Sequence, residues 1–193
     1  MENTIEKSSE SESKERLNNW VAICVAVLAA FMAVAKVKDD NIVQAMLQAK
    51  SDAVDTWSEY QSKRIKHHLL ELGRDQAIAL HDAGMKQASI KFDDQLKHYE
   101  SELARYQNDE AELQKKARGL EARYDLLNYR DDQFDLSDAA LSVSIAMLAV
   151  TALTKKKWLL MMSLVFGVFG VVMGVAGLTG LHLHPDWLTR MLS

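Results

Sequence analysis

The chain has 193 residues, 48% hydrophobic and 26% charged, with 8 glycines, 1 proline, 1 cysteine and a formal net charge of −4. A lone Cys24 excludes an internal disulfide framework, a multi-cysteine zinc site and an iron–sulfur cluster, and the modest negative charge offers no electrostatic basis for nucleic-acid binding. Pro185 is the single proline, so nothing before it is punctuated by proline, which favours long helices over many short strands.

Residues 1–19 are polar and rich in serine and glutamate, with Ile5 and Leu17 as their large apolar side chains after Met1; this composition predicts a disordered tail. From Trp20 to Ala35 there are sixteen residues without a charge, and Val37 extends the apolar run past Lys36, whose stem can snorkel. A first membrane span is therefore expected over 20–37. Ala33-Val34-Ala35 resembles a signal-peptidase site, but the tail sets Lys7, Lys14 and Arg16 against Glu2, Glu6, Glu10, Glu12 and Glu15, the reverse of a positive leader. The span is read as retained.

Residues 38–133 are dense in charge, contain no proline and carry only Gly73, Gly84 and Gly119. Alternating steps of four and three from Phe92 pass through Leu96, Tyr99, Leu103, Tyr106, Glu110, Leu113, Ala117, Leu120, Tyr124, Leu127, Asp131 and Phe134. Eleven of these thirteen positions are apolar or aromatic, the signature of a coiled-coil face. One helix is expected from about Ser89 into the next apolar segment and on to Leu153, tolerating Gly119 at a cost of up to about 1 kcal/mol. Upstream, Ile42, Met46, Ala49, Ala53, Trp57 and Tyr60, then after a slip Ile65, Leu69 and Leu72, define a partner helix of spacing nearer 3.6. A turn is expected near 82–85, at Asp82-Ala83-Gly84, with Gly73 as an earlier break. The result is an antiparallel helical hairpin, roughly 60 Å tall for arms of about 40 residues.

Residues 134–153 form the second expected span, interrupted by Asp135 at its edge and by Asp138; 154–157 form a basic loop, 158–181 a third span without charge, and 182–193 a C-terminal tail. Lys155, Lys156 and Lys157 place that loop in the cytoplasm by the positive-inside rule, and Lys14 and Arg16 agree; the hairpin then lies on the periplasmic side of a bacterial inner membrane.

In the third span Gly167, Gly170, Gly174, Gly177 and Gly180 recur at steps of three and four, a small-residue face for close transmembrane packing, with Ser142, Ala146 and Ala149 on the second span as the receiving stripe. Asp138 is an acidic residue within an expected span, a proton- or cation-handling candidate in principle, although its edge position suits a boundary residue. His67, His68, Glu71 and Asp75 could share a helix face, but the Glu-x-x-His order of di-iron bundles does not occur, and His182-x-His184 is a weak ligand pair. No nucleophile elbow, phosphate loop, dinucleotide fingerprint or zincin helix is present, so no catalytic residue, cofactor or metal is assigned.

The stretch DTWSEYQSKRIK, with Asp55, Trp57, Tyr60, Gln61, Lys63 and Lys66, resembles the signature of a bacterial membrane family known as domain of unknown function 4337, in which Ser62 stands where alanine is usual. The resemblance covers nearly the whole chain. It implies membrane residence and helical architecture and brings no activity. Asp55, Trp57, Tyr60, Gln61 and Lys63 are either a candidate interaction face or anchors across the hairpin. The expectation is an all-α integral membrane protein with three transmembrane helices and a coiled-coil hairpin. It would be a non-enzymatic oligomeric scaffold or protein-interaction module, contacting membrane lipid, further copies of itself and an unidentified protein partner. The alternative is a pore or transport-related subunit.

Overall fold

The computed structural model describes the backbone of residues 2–83 and 89–181 and the side chains of 15–83 and 92–181. Among the described residues there are three helices and no strand: α1 (Glu2–Asp82), α2 (Ser89–Thr154) and α3 (Lys157–Thr179). Each contains a segment long and apolar enough to cross a membrane, by length and composition. The expected turn residue Gly84 and the pair His182 and His184 lie outside the described residues.

Two differences from expectation concern α1. The helix includes residues 2–19, for which composition predicts disorder. No glycine or proline interrupts that stretch, and extending an existing helix costs no new nucleus. Nor does Gly73 break it: a Cβ there would stand 3.3 Å from Tyr99 Oη, so the missing side chain makes room for the tyrosine ring. Gly119 in α2 meets nothing within 4 Å and has only its propensity cost to bear.

The chain divides into two compact units, unit 1 comprising Met1–Ala45 with Leu126–Ser193, and unit 2 comprising Met46–Asp125. In unit 2 α1 and α2 run antiparallel, with cross-helix contacts from Lys50 and Tyr124 at one end to His81 and Phe92 at the other. All ten seam positions from Phe92 to Tyr124, and Leu127, Asp131 and Phe134 in unit 1, are buried or half-buried. Ala49, Ala53 and Ala117 are the tightest points of unit 2, small side chains that allow close backbone approach. The α1 face differs from expectation after Tyr60. It continues through Lys63, His67, Leu70, Arg74 and Ala77, whereas Ile65, Leu69 and Leu72 are exposed. Lys63 and His67 continue the contact row because their cross-helix partners, Asp109 and Glu110, are polar too.

In unit 1 the first half of α1, the second half of α2 and α3 pack around Ala35, Ile42 and Phe134, joined by Phe31, Leu127 and Leu178. A two-residue turn at Lys155 and Lys156 reverses the chain between α2 and α3. Lys155 adopts φ 57, and its N–H donates to Thr151 O at 2.7 Å.

Candidate functional site

The motif on α1 of unit 2 splits into an inner and an outer set. Trp57 Nε1–H donates to Glu121 Oε1 at 2.8 Å and stacks edge-on with Tyr60, centroids 5.4 Å apart. Lys63 Nζ donates to Asp109 Oδ2 at 2.7 Å and sits 5.3 Å from the Tyr106 ring centroid. The Asp109 carboxylate beside it raises the Lys63 ammonium above its ordinary pKa. Asp55 and Gln61, by contrast, are exposed and face away from this contact. Trp57 and Lys63 are thus interhelical anchors, Tyr60 packs on Trp57 from the same helix, and the five residues form no single face.

One turn further along, His67 Nδ1 lies 2.8 Å from Glu110 Oε1 across the hairpin, while His68 Nδ1 pairs with Glu71 Oε2 at 2.9 Å on its own helix. The hydrogen bond to His68 holds the Glu71 carboxyl below its usual range. His67 Nε2 also lies 3.8 Å from Glu71 Oε1, so the two histidines share Glu71 while only His67 reaches across to Glu110. Among the described residues no group of three or more His, Cys, Asp and Glu is arranged to hold a metal ion. Glu110 was visible in the sequence only as a polar interruption of the seam; its partner explains it.

In unit 1 the glycine face of α3 is filled from within the chain. A Cβ on Gly167 would stand 3.0 Å from Ser144 Oγ, one on Gly170 2.8 Å from Leu141 Cγ, one on Gly174 2.7 Å from both Phe31 Cε1 and Ser137 Oγ, and one on Gly177 2.9 Å from Phe134 Cε2. The receiving row on α2 is thus Phe134, Ser137, Leu141 and Ser144, and Ser142, Ala146 and Ala149 are exposed. That correction is one of helical phase: the buried row continues the hairpin seam, and α3 needs only its own glycines to approach. Ser137 Oγ–H donates to Gly170 O at 2.8 Å and Ser144 Oγ–H to Ser163 O at 2.7 Å, gluing the helices by hydrogen bonds. Gly180 has a different task. At φ 72 it is the left-handed cap of α3, its N–H bonded to Ala176 O, and a Cβ there would meet nothing.

Arg130 and Gln133, two residues the sequence did not single out, complete that helix end. Arg130 donates from Nε and Nη2 to Gly177 O at 3.2 and 2.9 Å, and Gln133 Nε2 to Leu181 O at 2.8 Å. A guanidinium on terminal carbonyls also favours the negative end of the helix dipole. Asp138 is half-buried and lines a cavity of about 10 Å³ with Met32, Ala35, Lys36, Asp39, Phe134, Ser137 and Leu141.

Residues 17–180, which include the motif helix, the seam and the glycine face, match the family described as "Domain of unknown function (DUF4337)". The chain belongs to that family. No curated protein and no solved structure matches it.

Within this DUF4337 chain the surface left over is as informative as the contacts. Leu47, Val54, Ile65, Leu69, Leu72 and Leu80 are each between 54% and 62% exposed. At 3.6 residues per turn they fall within about 80° of one face of α1. The positions between them on that face are Ser51, Ser58, Ser62 and Gln76, so an otherwise densely charged helix carries one charge-free stripe.

Proposed function

We propose that the protein is an oligomeric scaffold of the bacterial inner membrane, anchored by three transmembrane helices and assembling through the helical hairpin of unit 2 against further copies of itself. The observation that carries the reading is the charge-free stripe from Leu47 to Leu80. Six large exposed apolar side chains share one charge-free row on a charged helix, in two groups separated by Ser58 and Ser62; exposed apolar surface of this kind marks an interaction face, and the serines let a second helix approach. A coiled-coil seam already satisfied by α2 leaves this second face for another chain.

Membrane anchoring draws its support from the inverted polarity of unit 1. Ser137, Ser144, Thr151 and Ser163 are buried, while Ile23, Val27, Val34, Met161, Val165, Val168 and Val172 are exposed. Such a unit in water would expose its apolar side chains and bury its hydroxyls; in hydrocarbon both are placed correctly. The basic turn at Lys155–Lys157 orients the hairpin toward the periplasm by the positive-inside rule. Alkaline phosphatase fused after Met85 is accordingly expected to be active in intact cells, and activity confined to a cytoplasmic reporter at the same point would reverse the orientation.

The assembly itself is tested by native mass measurement of the full chain in mild detergent. The wild type is expected as a multiple of its 21.7 kDa, and the double variant Ile65→Glu, Leu69→Glu at the mass of one chain with unchanged helical content. Both side chains are solvent-exposed within one chain, so a fold defect is not expected from the substitution. A wild type that is monomeric and crosslinks to nothing in its native membrane would sink the scaffold reading. The pore or transport-related alternative draws on the carboxylates of unit 1.

A further inference from the structure

Asp39 departs from the rule that buried carboxylates are fully paired. Its side chain is only 5% exposed; Oδ2 accepts a hydrogen bond from Lys36 Nζ at 2.8 Å, and Oδ1 is buried with no partner. Asp39 stands one turn after Ala35 and nearly one before Ile42, and Asp131 one turn after Leu127 and nearly one before Phe134. Since Ala35, Ile42, Phe134 and Leu127 belong to one packed cluster, the two aspartates lie on facing rows of α1 and α2. Asp131 is also the second polar interruption of the α2 seam. The cavity of about 10 Å³ that Asp39 lines has room for about one water and not for a hydrated ion.

The local charge is unbalanced. From α1 the groups around this pair are Lys36 and Asp40, and from α2 they are Asp131, Asp132, Asp135 and Asp138. From α3 the residue packed on the same cluster is the apolar Leu178. Arg130, on α2, is directed to the Gly177 carbonyl. The Lys36 ammonium reaches one oxygen of Asp39 and leaves the other, buried one without a donor.

We propose that Asp39 and Asp131 together bind one proton, the acid form of Asp131 donating its O–H to Asp39 while Lys36 holds the other Asp39 oxygen. The step is a simple binding equilibrium, with the proton taken from solvent and the pair passing from two carboxylates to one. Burial first, then the hydrogen bond with Asp39 and repulsion from Asp135, Asp39 and Asp132, push the Asp131 carboxyl up to about 6. With the folded value above the ordinary 3.8, the stabilisation from the bound proton is complete below 3.8 and is lost as pH rises through about 6. This is a proton site within the range of moderate acidification, independent of the scaffold reading.

The test is infrared pH-difference spectroscopy on the full chain in lipid nanodiscs. A protonated-carboxyl C=O band is expected to titrate at about pH 6 in the wild type and to be lost in Asp131→Asn. In Asp39→Asn the midpoint should fall part of the way toward the ordinary aspartate value, since burial and the neighbouring carboxylates remain; each pH unit of fall is about tenfold weaker proton binding. Carboxyl carbon NMR of the unsubstituted, isotope-labelled protein should give the wild-type midpoint without any variant. Persistence of the band in Asp131→Asn, or a midpoint indifferent to Asp39→Asn, would overturn the proposal. So would a midpoint that moves with sodium or calcium at constant ionic strength, since a metal cation would then be the occupant.

Discussion

Phe134→Ala is expected to be the most damaging single truncation in unit 1, costing about 3 kcal/mol, at the low end of the 3–5 kcal/mol range for large aromatic deletions in water-soluble cores. The ring is 2% exposed and packs on Ala35, Ile42, Phe31, Leu127 and Leu178, with its edge against the space above Gly177. Two terms make up the usual cost: transfer of the ring from water and the cavity left behind. If unit 1 sits in lipid, the hydrocarbon portion of the transfer term shrinks, because lipid tails are as apolar as a side-chain core, while the lost packing contacts remain. Glycine at 177 cannot refill the void, having no side chain to move into it. The single thiol supplies the measurement: Cys24 is half-buried, so its labelling rate by a thiol-reactive dye on heating reports the opening of unit 1. An onset of labelling within a degree or two of wild type would mean that Phe134 does not hold the three helices together.

Gly174→Val is the second large effect, with the opposite steric cause. The first carbon added at this position would stand 2.7 Å from both Phe31 Cε1 and Ser137 Oγ, well inside contact distance. Phe31 lies on α1 and Ser137 on α2, so relief on one side presses on the other, and the two valine methyls add to the conflict. Overpacking of this kind costs typically 1–3 kcal/mol. Moving α3 outward would also stretch the Ser137 to Gly170 hydrogen bond, which is 2.8 Å long and buried, so that its groups would lose a partner where leaving one unmade is costly. Gly119→Ala is the internal control. With nothing within 4 Å of its Cβ it is expected to stabilise the chain by up to about 1 kcal/mol through helix propensity and the unfolded state. Equal effects of the two substitutions in the same thermal assay would show that α3 does not depend on close approach at Gly174.

The elements most legible in the sequence were those governed by local chemistry. Absence of proline and the charge-free runs mark long helices, and the three-four pattern from Phe92 to Phe134 marks the contact row of α2, where no described position is fully exposed. The two polar members of that row, Glu110 and Asp131, were legible as exceptions but not as parts of pairs. Their meaning depends on His67 and Asp39, 43 and 92 residues away in the chain, and no periodicity within one helix encodes a neighbour on another. The same limit misplaced Ile65, Leu69 and Leu72. Their spacing suits a helix face equally well on the inside or the outside, and only the partner's side chains decide which.

What the sequence determined by itself was therefore helix, apolar segment and seam, because backbone propensity and solvent partition act residue by residue or along one helix face. Tertiary structure alone decided what each seam touches: that the α3 glycines receive Leu141, Ser137 and Phe134 from within the chain, that Trp57 and Lys63 are tied to Glu121 and Asp109, and that Asp39 is buried with one oxygen unpartnered. Contacts between helices depend on rotation about each axis and on shift along it, and these are set by the fit of all facing side chains at once.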